Sequence, residues 1–339
     1  MATQSSAPAG NEPNPLLIFD ALSGYQRATA LKAAIELEVF TLIGAGAVTA
    51  AELAKRAQTS PKGMRILCDF MTIQGFLTKQ DSVYSLTPDS AIFLDKKSPA
   101  YIGSIAFFLV HPVHVANYMD VTGAVRKGGA VSEHGNMGPE APIWVDFAKF
   151  MAPVSAMGSA ALAQIVNTPG QSLKVLDIAA GPGAYGIAIA KVNPKAEIYG
   201  LDWKNVLELS TEHARQAGVG DRYHGIPGSA FDVDMGSGYD LVLLPNFLHH
   251  FDHATNVKLL KRVRAALKPG GRLATVEFVP NDDRISPPTA AAFSMMMLGS
   301  TAGGDAYTFK ELDAMFRDAG FGQSTAQELG PQTLILTKY

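Results

Sequence analysis

A glycine-rich segment in the second half of the chain has the residue types of a cofactor-binding loop. It reads Asp-Ile-Ala-Ala-Gly-Pro-Gly-Ala-Tyr-Gly over residues 177–186 and follows an apolar stretch that begins at Lys174. Small residues at a turn from strand to helix let the backbone approach a ligand, and the N-terminus of the helix favours negative charge. A second acid, Asp202, comes 25 residues after Asp177, where a carboxylate can accept both hydroxyls of a ribose. The alternative is that Asp202 caps a helix starting near Asn205.

Two classes of cofactor fit this loop. Residues 181–186 match the dinucleotide pattern G-x-G-x-x-G formally, with glycine placed against a pyrophosphate. The Asp-Ile-Ala-Ala prefix, however, is typical of methyltransferases, as is the Leu-Lys-Pro-Gly-Gly turn at residues 267–271. The stretches Gly320–Gly322 and Thr333–Thr337 further indicate a terminal antiparallel hairpin. Together these features favour S-adenosylmethionine (SAM) over a nicotinamide cofactor.

The elements around the loop predict an α/β domain over residues 167–339. Beyond a turn-rich linker at residues 167–170, strand and helix patterns alternate. The predicted strands are 174–178, 196–201, 240–244 and 271–277, and the predicted helices include 187–192 and 254–267. Such alternation is typical of a parallel, doubly wound, Rossmann-like sheet.

The first half of the chain reads as helices followed by a hairpin. Residues 1–14 are small, polar and proline-rich, which predicts a disordered tail. Over residues 15–105, helical spacing, a capping box at Thr49–Glu52, a helix start at Ser60-Pro61 and a hairpin at residues 76–86 give the order of a winged helix. Residues 106–166 are predicted to be connecting helices that contribute to a substrate pocket.

A winged helix can bind DNA, and the residues of its third helix indicate whether this one does. That helix, Pro61 to Gln74, has only Lys62 and Arg65 as cations and is otherwise largely apolar. A helix that enters the major groove needs side chains for phosphates and base edges. The pattern therefore predicts a buried helix and no nucleic-acid partner.

Composition supports a globular protein without a membrane or nucleic-acid partner. The 339 residues include 47% hydrophobic and 17% charged residues, with a net charge of −3. The single cysteine, Cys68, excludes intrachain disulfides and cysteine-rich metal sites. The sequence has no run of 18 apolar residues and no basic, apolar start, so we expect a cytoplasmic protein.

The most specific segment is Asn-Phe-Leu-His-His-Phe-Asp at residues 246–252. It resembles the Leu-His-Asp-Trp segment of the O-methyltransferases that include plant caffeate and flavonoid enzymes, acetylserotonin methyltransferase and bacterial polyketide-tailoring relatives. The resemblance covers nearly the whole chain. It implies an N-terminal helical, winged-helix dimerisation domain, a homodimer, SAM as cofactor, S-adenosylhomocysteine as product, and no metal.

The resemblance also assigns catalytic residues. In the family the segment's histidine is the general base and a glutamate 28 residues later flanks it; His249 and Glu277 match this spacing. A second flanking glutamate falls at Ala306, so Asp305 is its possible substitute. A phenol has a pKa of about 10 and histidine one of about 6.5, so a histidine held against the hydroxyl accepts its proton as attack proceeds. The carboxylate fixes the tautomer and stabilises the imidazolium.

The resemblance implies a set of cofactor contacts with several departures. The implied residues are Asp177, Ala179, Gly181, Gly183, Asp202, Trp203, Ser229, Ala230, Phe231 and Asn246. Ala179 and Ala180 replace two glycines of the family loop, Ser229 replaces an acid near the adenine, and Pro245 replaces a lysine. These changes leave SAM binding expected, with a weaker contact at Ser229.

An aromatic acceptor is implied by apolar residues that match two pocket helices of the family. They are Phe147 and Met151 on one helix and Phe293, Met296 and Met297 on the other. His250, which replaces the family's aspartate after the base, completes the implied set. Methionine adapts to flat rings, although core packing explains such residues equally well.

The expected function is methyl transfer from SAM to a hydroxyl of an aromatic or polyketide-like small molecule. A metal cluster at His249, His250 and His253 is not expected, because adjacent side chains diverge and no carboxylate completes the set. Alternatives remain open: an N-, S- or C-methyltransferase of the same fold, a non-methylating SAM-binding relative, and a SAM-sensing winged-helix regulator.

Overall fold

A computed structural model of the chain describes residues 13–131 and 141–339. The chain divides into two compact units, one ending at Ala106 and the other beginning at Phe107, so the boundary falls within the helix Ile105–Leu109. Residues 1–12 of the predicted tail lie outside the described residues, as do residues 132–140 of the predicted connecting region.

The first unit contains six helices and a small sheet. The helices are α1 (Leu16–Leu22), α2 (Gly24–Glu36), α3 (Val39–Gly44), α4 (Ala50–Arg56), α5 (Pro61–Ile73) and α6 (Pro88–Phe93). The strands β1 (Val48–Thr49), β2 (Leu77–Gln80) and β3 (Val83–Leu86) pair antiparallel in the order β1-β3-β2. Both predicted N-caps are present, since Thr49 accepts the N–H of Glu52 and Ser60 accepts that of Gly63. The predicted capping box is only half formed among the described contacts, because the Glu52 carboxylate pairs with Arg56.

The prediction that α5 is buried holds for only one of its faces. Met64, Cys68 and Met71 are buried, whereas Ile66 and Ile73 are 48% and 76% exposed. The buried residues follow the helical period, and the two isoleucines fall on the opposite side. Part of the apolar surface of α5 is therefore left exposed to solvent. The winged-helix interpretation of this unit stays a prediction.

Between the first unit's small sheet with α6 and the large sheet, the described residues form four helices. They are α7 (Ile105–Leu109), α8 (Pro112–Met119), α9 (Val121–Lys127) and α10 (Pro142–Val166). Proline occupies the first turn of α8 and of α10, where its missing N–H is not needed. His111 caps α8 by accepting the N–H of Val113 at its Nδ1, over 3.3 Å.

The second unit is built on a seven-stranded sheet in the order β6-β5-β4-β7-β8-β10-β9. Its strands are β4 (Leu173–Ile178), β5 (Ala196–Asp202), β6 (Tyr223–Pro227), β7 (Tyr239–Pro245), β8 (Leu267–Glu277), β9 (Ser324–Leu329) and β10 (Gln332–Lys338). Its remaining helices are α11 (Ala184–Val192), α12 (Lys204–Gln216), α13 (His253–Ala266), α14 (Pro288–Ser300) and α15 (Phe309–Asp318). The first five strands run parallel, and the hairpin β9–β10 joins β8 antiparallel.

The predicted strands and terminal hairpin are all present, and β6 is an addition that the sequence pattern did not reveal. Two apolar clusters form the core, one around Leu176, Leu244 and Phe316 and the other around Val175, Ile189 and Leu334. Parallel strands end at one edge of a sheet, and the loops at that edge form the ligand crevice of doubly wound folds. Asp177, Asp202 and Glu277 lie in or at the carboxyl ends of their strands, so the topology assembles the predicted site residues along this edge.

Helices of the described chain, residues 13–131 and 141–339, include none with both the length and the apolarity needed to cross a bilayer.

Candidate active site

The loop after β4 is arranged around a buried carboxylate. Asp177 is fully buried, and its Oδ2 accepts the N–H of Gly186 over 3.0 Å. Its Oδ1 has no hydrogen-bond partner among the described residues. Burial raises the pKa of Asp177 to about 8. The acid thus contacts its own loop, and one of its buried oxygens is left without a partner among the described residues.

Left-handed backbone shapes the same loop. Gly181 and Gly183 adopt φ angles of +55° and +77°, and Ala179 adopts +54°. A β-carbon at Gly183 would lie 3.1 to 3.2 Å from side chains of Ile187, Ser210 and Tyr223. Glycine suits both conformation and space at position 183, whereas Ala179 holds a conformation that L-residues disfavour.

Asp202, at the end of β5, closes the loop from the neighbouring strand. Its Oδ2 accepts the N–H of Gly181 over 2.8 Å, and its Oδ1 accepts that of Trp203 over 2.7 Å. Burial raises the pKa of Asp202 to about 6, although these two hydrogen bonds oppose the rise. Trp203 is the N-cap of α12, so the alternative role of Asp202 as a helix cap is wrong.

A cavity of about 380 Å³ lies beside these acids. Six predicted cofactor residues line it: Ala179, Asp202, Trp203, Ser229, Ala230 and Phe231. Ser229 Oγ accepts the N–H of Phe231 over 3.1 Å, which bends the backbone at this wall. The cavity, the close-approach loop and the unpaired oxygen of Asp177 fit the adenosine and amino-acid parts of SAM.

The other four predicted cofactor residues, Asp177, Gly181, Gly183 and Asn246, do not line this cavity. Asn246, in left-handed backbone after β7, accepts a hydrogen bond from Gln332 in β10, and its N–H donates to Val276 over 2.7 Å. Asp177 lies behind the loop that it supports. Their roles toward the cofactor stay predictions.

His249 and Glu277 form a buried pair at the same edge of the sheet. His249 Nδ1 lies 2.6 Å from Glu277 Oε2, and the two residues are 5% and 2% exposed. The second oxygen, Oε1, accepts the N–H groups of Phe247 and Leu248 over 3.0 and 2.9 Å. The carboxylate therefore fixes both the ring and the backbone of the turn Leu248–His250. With the proton of Nδ1 directed at Glu277, Nε2 is the acceptor nitrogen.

Asp305 is held by a different partner from the one expected. Its Oδ2 lies 3.1 Å from Arg284 Nη1, and Arg284 also binds Glu311. The Asp305 side chain is 38% exposed, and the described residues show no hydrogen bond between it and either member of the buried pair. The Asp305 side chain thus engages an arginine on the loop before α14, and its role beside His249 stays a prediction.

A run of aromatic rings connects His249 with the helices before the sheet. His249 packs on His250 at 4.4 Å and on Phe293 at 4.8 Å between ring centroids. His250 in turn meets Trp144 at 5.9 Å, and Trp144 meets Phe147 at 6.2 Å. These rings form an aromatic wall, which includes the predicted acceptor contacts Phe147 and Phe293 and is made of Trp144, Phe147, His249, His250 and Phe293. The expectation that His249 and His250 diverge is wrong, because the tight turn that they share brings their rings together.

His250 lines the cavity and occupies the junction between it and the aromatic wall. Burial, and secondarily the neighbouring His249, holds the pKa of His250 well below its usual 6.5. The ring is therefore neutral at pH 7. No group of three or more His, Cys, Asp or Glu residues suited to a metal ion occurs in the described ranges.

The predicted methionines are distributed between the wall and the core. Met151 and Met296 are partly buried on α10 and α14, whereas Met297 is 3% exposed and belongs to the packed side of α14. None of the three lines the 380 Å³ cavity. Their contact with an acceptor stays a prediction.

Sequence reasoning missed several residues of the cavity wall. They are Trp144, Leu201, Gly228, Phe247, Phe251, Ser300, Thr301 and Ala302. No local pattern distinguishes Ser300 to Ala302, because they reach the cavity only through the packing of α14. A second groove of about 680 Å³ includes Asn281, Phe309 and Gln332. His249 and Glu277 are not among the described residues that line this groove or the 380 Å³ cavity.

The chain is similar to known O-methyltransferases. Residues 138–322 match the model of the O-methyltransferase domain, and residues 19–96 match that of the O-methyltransferase dimerisation domain. A 3-hydroxy-5-methyl-1-naphthoate 3-O-methyltransferase of Streptomyces sahachiroi is 30% identical, over 90% of this chain and 89% of the relative. A solved structure assigned as an O-methyltransferase, from Nostoc punctiforme, is 50% identical with a TM-score of 0.93, over 97% of this chain and all of that one. Human N-acetylserotonin methyltransferase in complex with SAM shares the fold, with 21% identity and a TM-score of 0.82 over 97% and 99% of the two chains.

Proposed function

We propose a function for this chain, which belongs to the O-methyltransferase family and is a SAM-dependent methyltransferase. It methylates a hydroxyl of an aromatic or polyketide-like small molecule, with His249 as general base. The observation that carries the proposal is the 2.6 Å contact between His249 Nδ1 and Glu277 Oε2 at the edge of the aromatic wall. The Streptomyces relative is named for an aromatic acceptor that bears a hydroxyl. The rings of Phe147, Trp144 and Phe293 offer flat apolar surface to such an acceptor.

The cofactor is assigned to the 380 Å³ cavity. Asp202 would accept the ribose hydroxyls, and Ser229, Ala230 and Phe231 would contact the adenine. The Gly181–Gly183 loop and the free oxygen of Asp177 would approach the amino-acid end. When bound, SAM supplies a methyl group on a positively charged sulfur.

The reaction then depends on how the chain holds a proton and an oxygen. The acceptor hydroxyl would give its proton to His249 Nε2 as its oxygen takes the methyl group that bound SAM would supply, which leaves S-adenosylhomocysteine as the other product. Glu277 stabilises the imidazolium that results, and it does so from a fixed position because two backbone N–H groups hold its other oxygen. His250 stays neutral and adds no positive charge beside the cavity.

The first test is release of S-adenosylhomocysteine with a panel of phenols, catechols, thiols and amines. We expect turnover on hydroxylated aromatics, and a loss of about a hundredfold or more in His249→Ala. His253→Ala is the matched control, because His253 is a half-exposed neighbour bound to Asp318 at the surface. Turnover that His249→Ala leaves unchanged would refute the general base. Methylation of thiols or amines alone would favour the alternative acceptors.

We infer a homodimer formed through the N-terminal unit. The dimerisation-domain match covers residues 19–96, and α1 exposes Leu17, Phe19 and Leu22 to 73%, 64% and 69%. Apolar surface of this extent on a short helix favours a protein contact. Sedimentation of Leu17→Glu/Phe19→Glu should show monomers where the parent protein shows dimers. A parent protein that sediments as a monomer would contradict this inference.

A further inference from the structure

Three polar side chains on α8 and α14 carry buried atoms that lack hydrogen bonds. Both ring nitrogens of His114, Nδ2 of Asn117 and Oγ of Ser300 have no partner in the described part of the chain. His114 and Ser300 are 5% and 2% exposed. Buried polar atoms in folded proteins are nearly always paired, because an unpaired one has lost its hydration without compensation. Four such atoms on two helices therefore point to a ligand.

The two helices that carry these atoms pack against each other. The ring of Tyr118, on α8, lies about 3.4 Å from the position that a β-carbon of Gly299 would take on α14. His114 and Asn117 are three residues apart and share a face of α8. Ser300 directly follows Gly299 and closes α14.

These two helices adjoin the cavity and the aromatic wall. Ser300 lines the cavity together with Trp144 and His250. The ring of His114 packs edge-on against Phe108 at 4.5 Å, and Phe108 packs against Phe147 at 4.8 Å. An acceptor bound along the wall with one hydroxyl at His249 would thus present its other substituents to α8 and α14.

The hydrogen-bonding groups of His114, Asn117 and Ser300 indicate which substituent of the acceptor they would bind. The amide nitrogen of Asn117 donates, and the Ser300 hydroxyl and a neutral His114 ring can each donate. Desolvation, and secondarily the nearby His111, lowers the pKa of His114, which keeps its ring neutral. Among the described residues that line the cavity, Asp202 is the one charged side chain. No cationic side chain among these described lining residues could balance a carboxylate, whereas an uncharged carbonyl oxygen needs only hydrogen-bond donors.

We propose that His114, Asn117 and Ser300 form a polar subsite that binds an uncharged carbonyl oxygen of the acceptor. The inference rests on the proposed function, because it places the acceptor along the aromatic wall. It narrows the substrate class to hydroxylated aromatics that also carry a ketone, aldehyde or quinone carbonyl. The three residues determine specificity and take no part in proton transfer.

The test compares acceptor binding to the protein saturated with S-adenosylhomocysteine, by calorimetry. The probes are naphthols, the regioisomeric acetylnaphthols and the hydroxynaphthoates. We expect at least one acetylnaphthol to bind about tenfold more tightly than its parent naphthol, with no such gain for the naphthoates. Ser300→Ala and Asn117→Leu should each remove most of that gain, and Asn117→Leu should leave naphthol binding within about twofold.

Ser159→Ala is the matched control, because Ser159 is equally buried on α10 and its hydroxyl bonds the carbonyl of Ala156. It should retain the preference for the acetyl group. A wild-type protein without that preference, a preference that both variants retain, or tighter binding of the naphthoates would overturn the subsite.

Methyl transfer is measured on the same compounds. Turnover without a carbonyl preference supports the proposed function and overturns the subsite. A carbonyl preference in binding that Ser300→Ala removes, without turnover on any phenol, upholds the subsite and refutes the proposed function.

Discussion

Glu277 holds His249 with one carboxylate oxygen and the backbone of the preceding turn with the other. In Glu277→Gln the carbonyl oxygen can keep the N–H groups of Phe247 and Leu248, which leaves the amide NH₂ facing His249 Nδ1. Nδ1 must then accept and Nε2 must carry the proton, so the base has the wrong tautomer. We expect kcat to fall by about 10²- to 10⁴-fold with little change in Tm, as measured by steady-state kinetics and calorimetry.

Asp318→Asn is the control for this substitution. Asp318 pairs with His253 over 3.0 Å at the surface, so the same change of carboxylate to amide should leave kcat within about twofold. Equal activity of Glu277→Gln and the parent protein would show that the tautomer of His249 does not matter for the reaction.

Gly304 packs directly against the turn Leu248–His250, which carries His249. A β-carbon at this position would overlap the carbonyl oxygen of His249 and lie 2.8 Å from the carbonyl carbon of His250. Because these are backbone atoms, Gly304→Ala must displace the turn. We expect a loss of about 1–3 kcal/mol in the free energy of unfolding and a clear fall in kcat.

The neighbouring glycine provides the comparison. A β-carbon at Gly303 would lie 3.5 Å from Asp252 Cβ, an ordinary contact. Gly303→Ala should therefore keep both stability and kcat, as urea unfolding and turnover will show. The prediction fails if the two variants behave alike.

Binding of S-adenosylhomocysteine should depend on the ionisation of Asp202. Burial raises the pKa of this carboxyl to about 6, and the ionised form is the better acceptor of ribose hydroxyls. Affinity should therefore strengthen as the pH rises from 5 to 7.5. Titration calorimetry across this range measures the effect. Asp202→Asn should bind more weakly and with no inflection near pH 6, and a matching inflection in that variant would assign the effect to another group.

The raised pKa of Asp202 also makes the free energy of unfolding depend on pH. The folded chain holds the Asp202 proton more tightly than the unfolded chain does, because the folded-state pKa is the higher one. Between about pH 4 and pH 6 the folded state therefore binds more protons, and the contribution of Asp202 to the free energy of unfolding falls as the pH rises.

Ala179 is strained where the related family has glycine. Its φ of +54° lies in the left-handed region, which an L-residue occupies at a cost. Ala179→Gly should raise the free energy of unfolding by about 0.5–1 kcal/mol. Ala180 is buried and not among the residues with positive φ, so Ala180→Gly should lower stability instead. Urea unfolding of both variants checks the pair, and a stabilised Ala180→Gly would contradict the argument.

Much of the backbone could be predicted because its signals are local. Apolar runs indicated β4 and β7, whose residues are nearly all buried. The caps at Thr49 and Ser60 involve residues only three positions apart. β6 escaped prediction because Tyr223–Pro227 is a mostly exposed edge strand, and its pairing with β5 decides its conformation.

The features of the candidate site likewise divide into those set by local sequence and those set by tertiary packing. The sequence by itself determined the loop at Gly181, the acid at Asp202 and, through the family spacing, the pairing of His249 with Glu277. Only the tertiary structure decided that Arg284 engages Asp305, that Trp144 meets His250, and that Ser300 reaches the cavity. Turns and strand ends are encoded by neighbouring residues, whereas contacts between distant side chains depend on how whole helices pack onto the sheet.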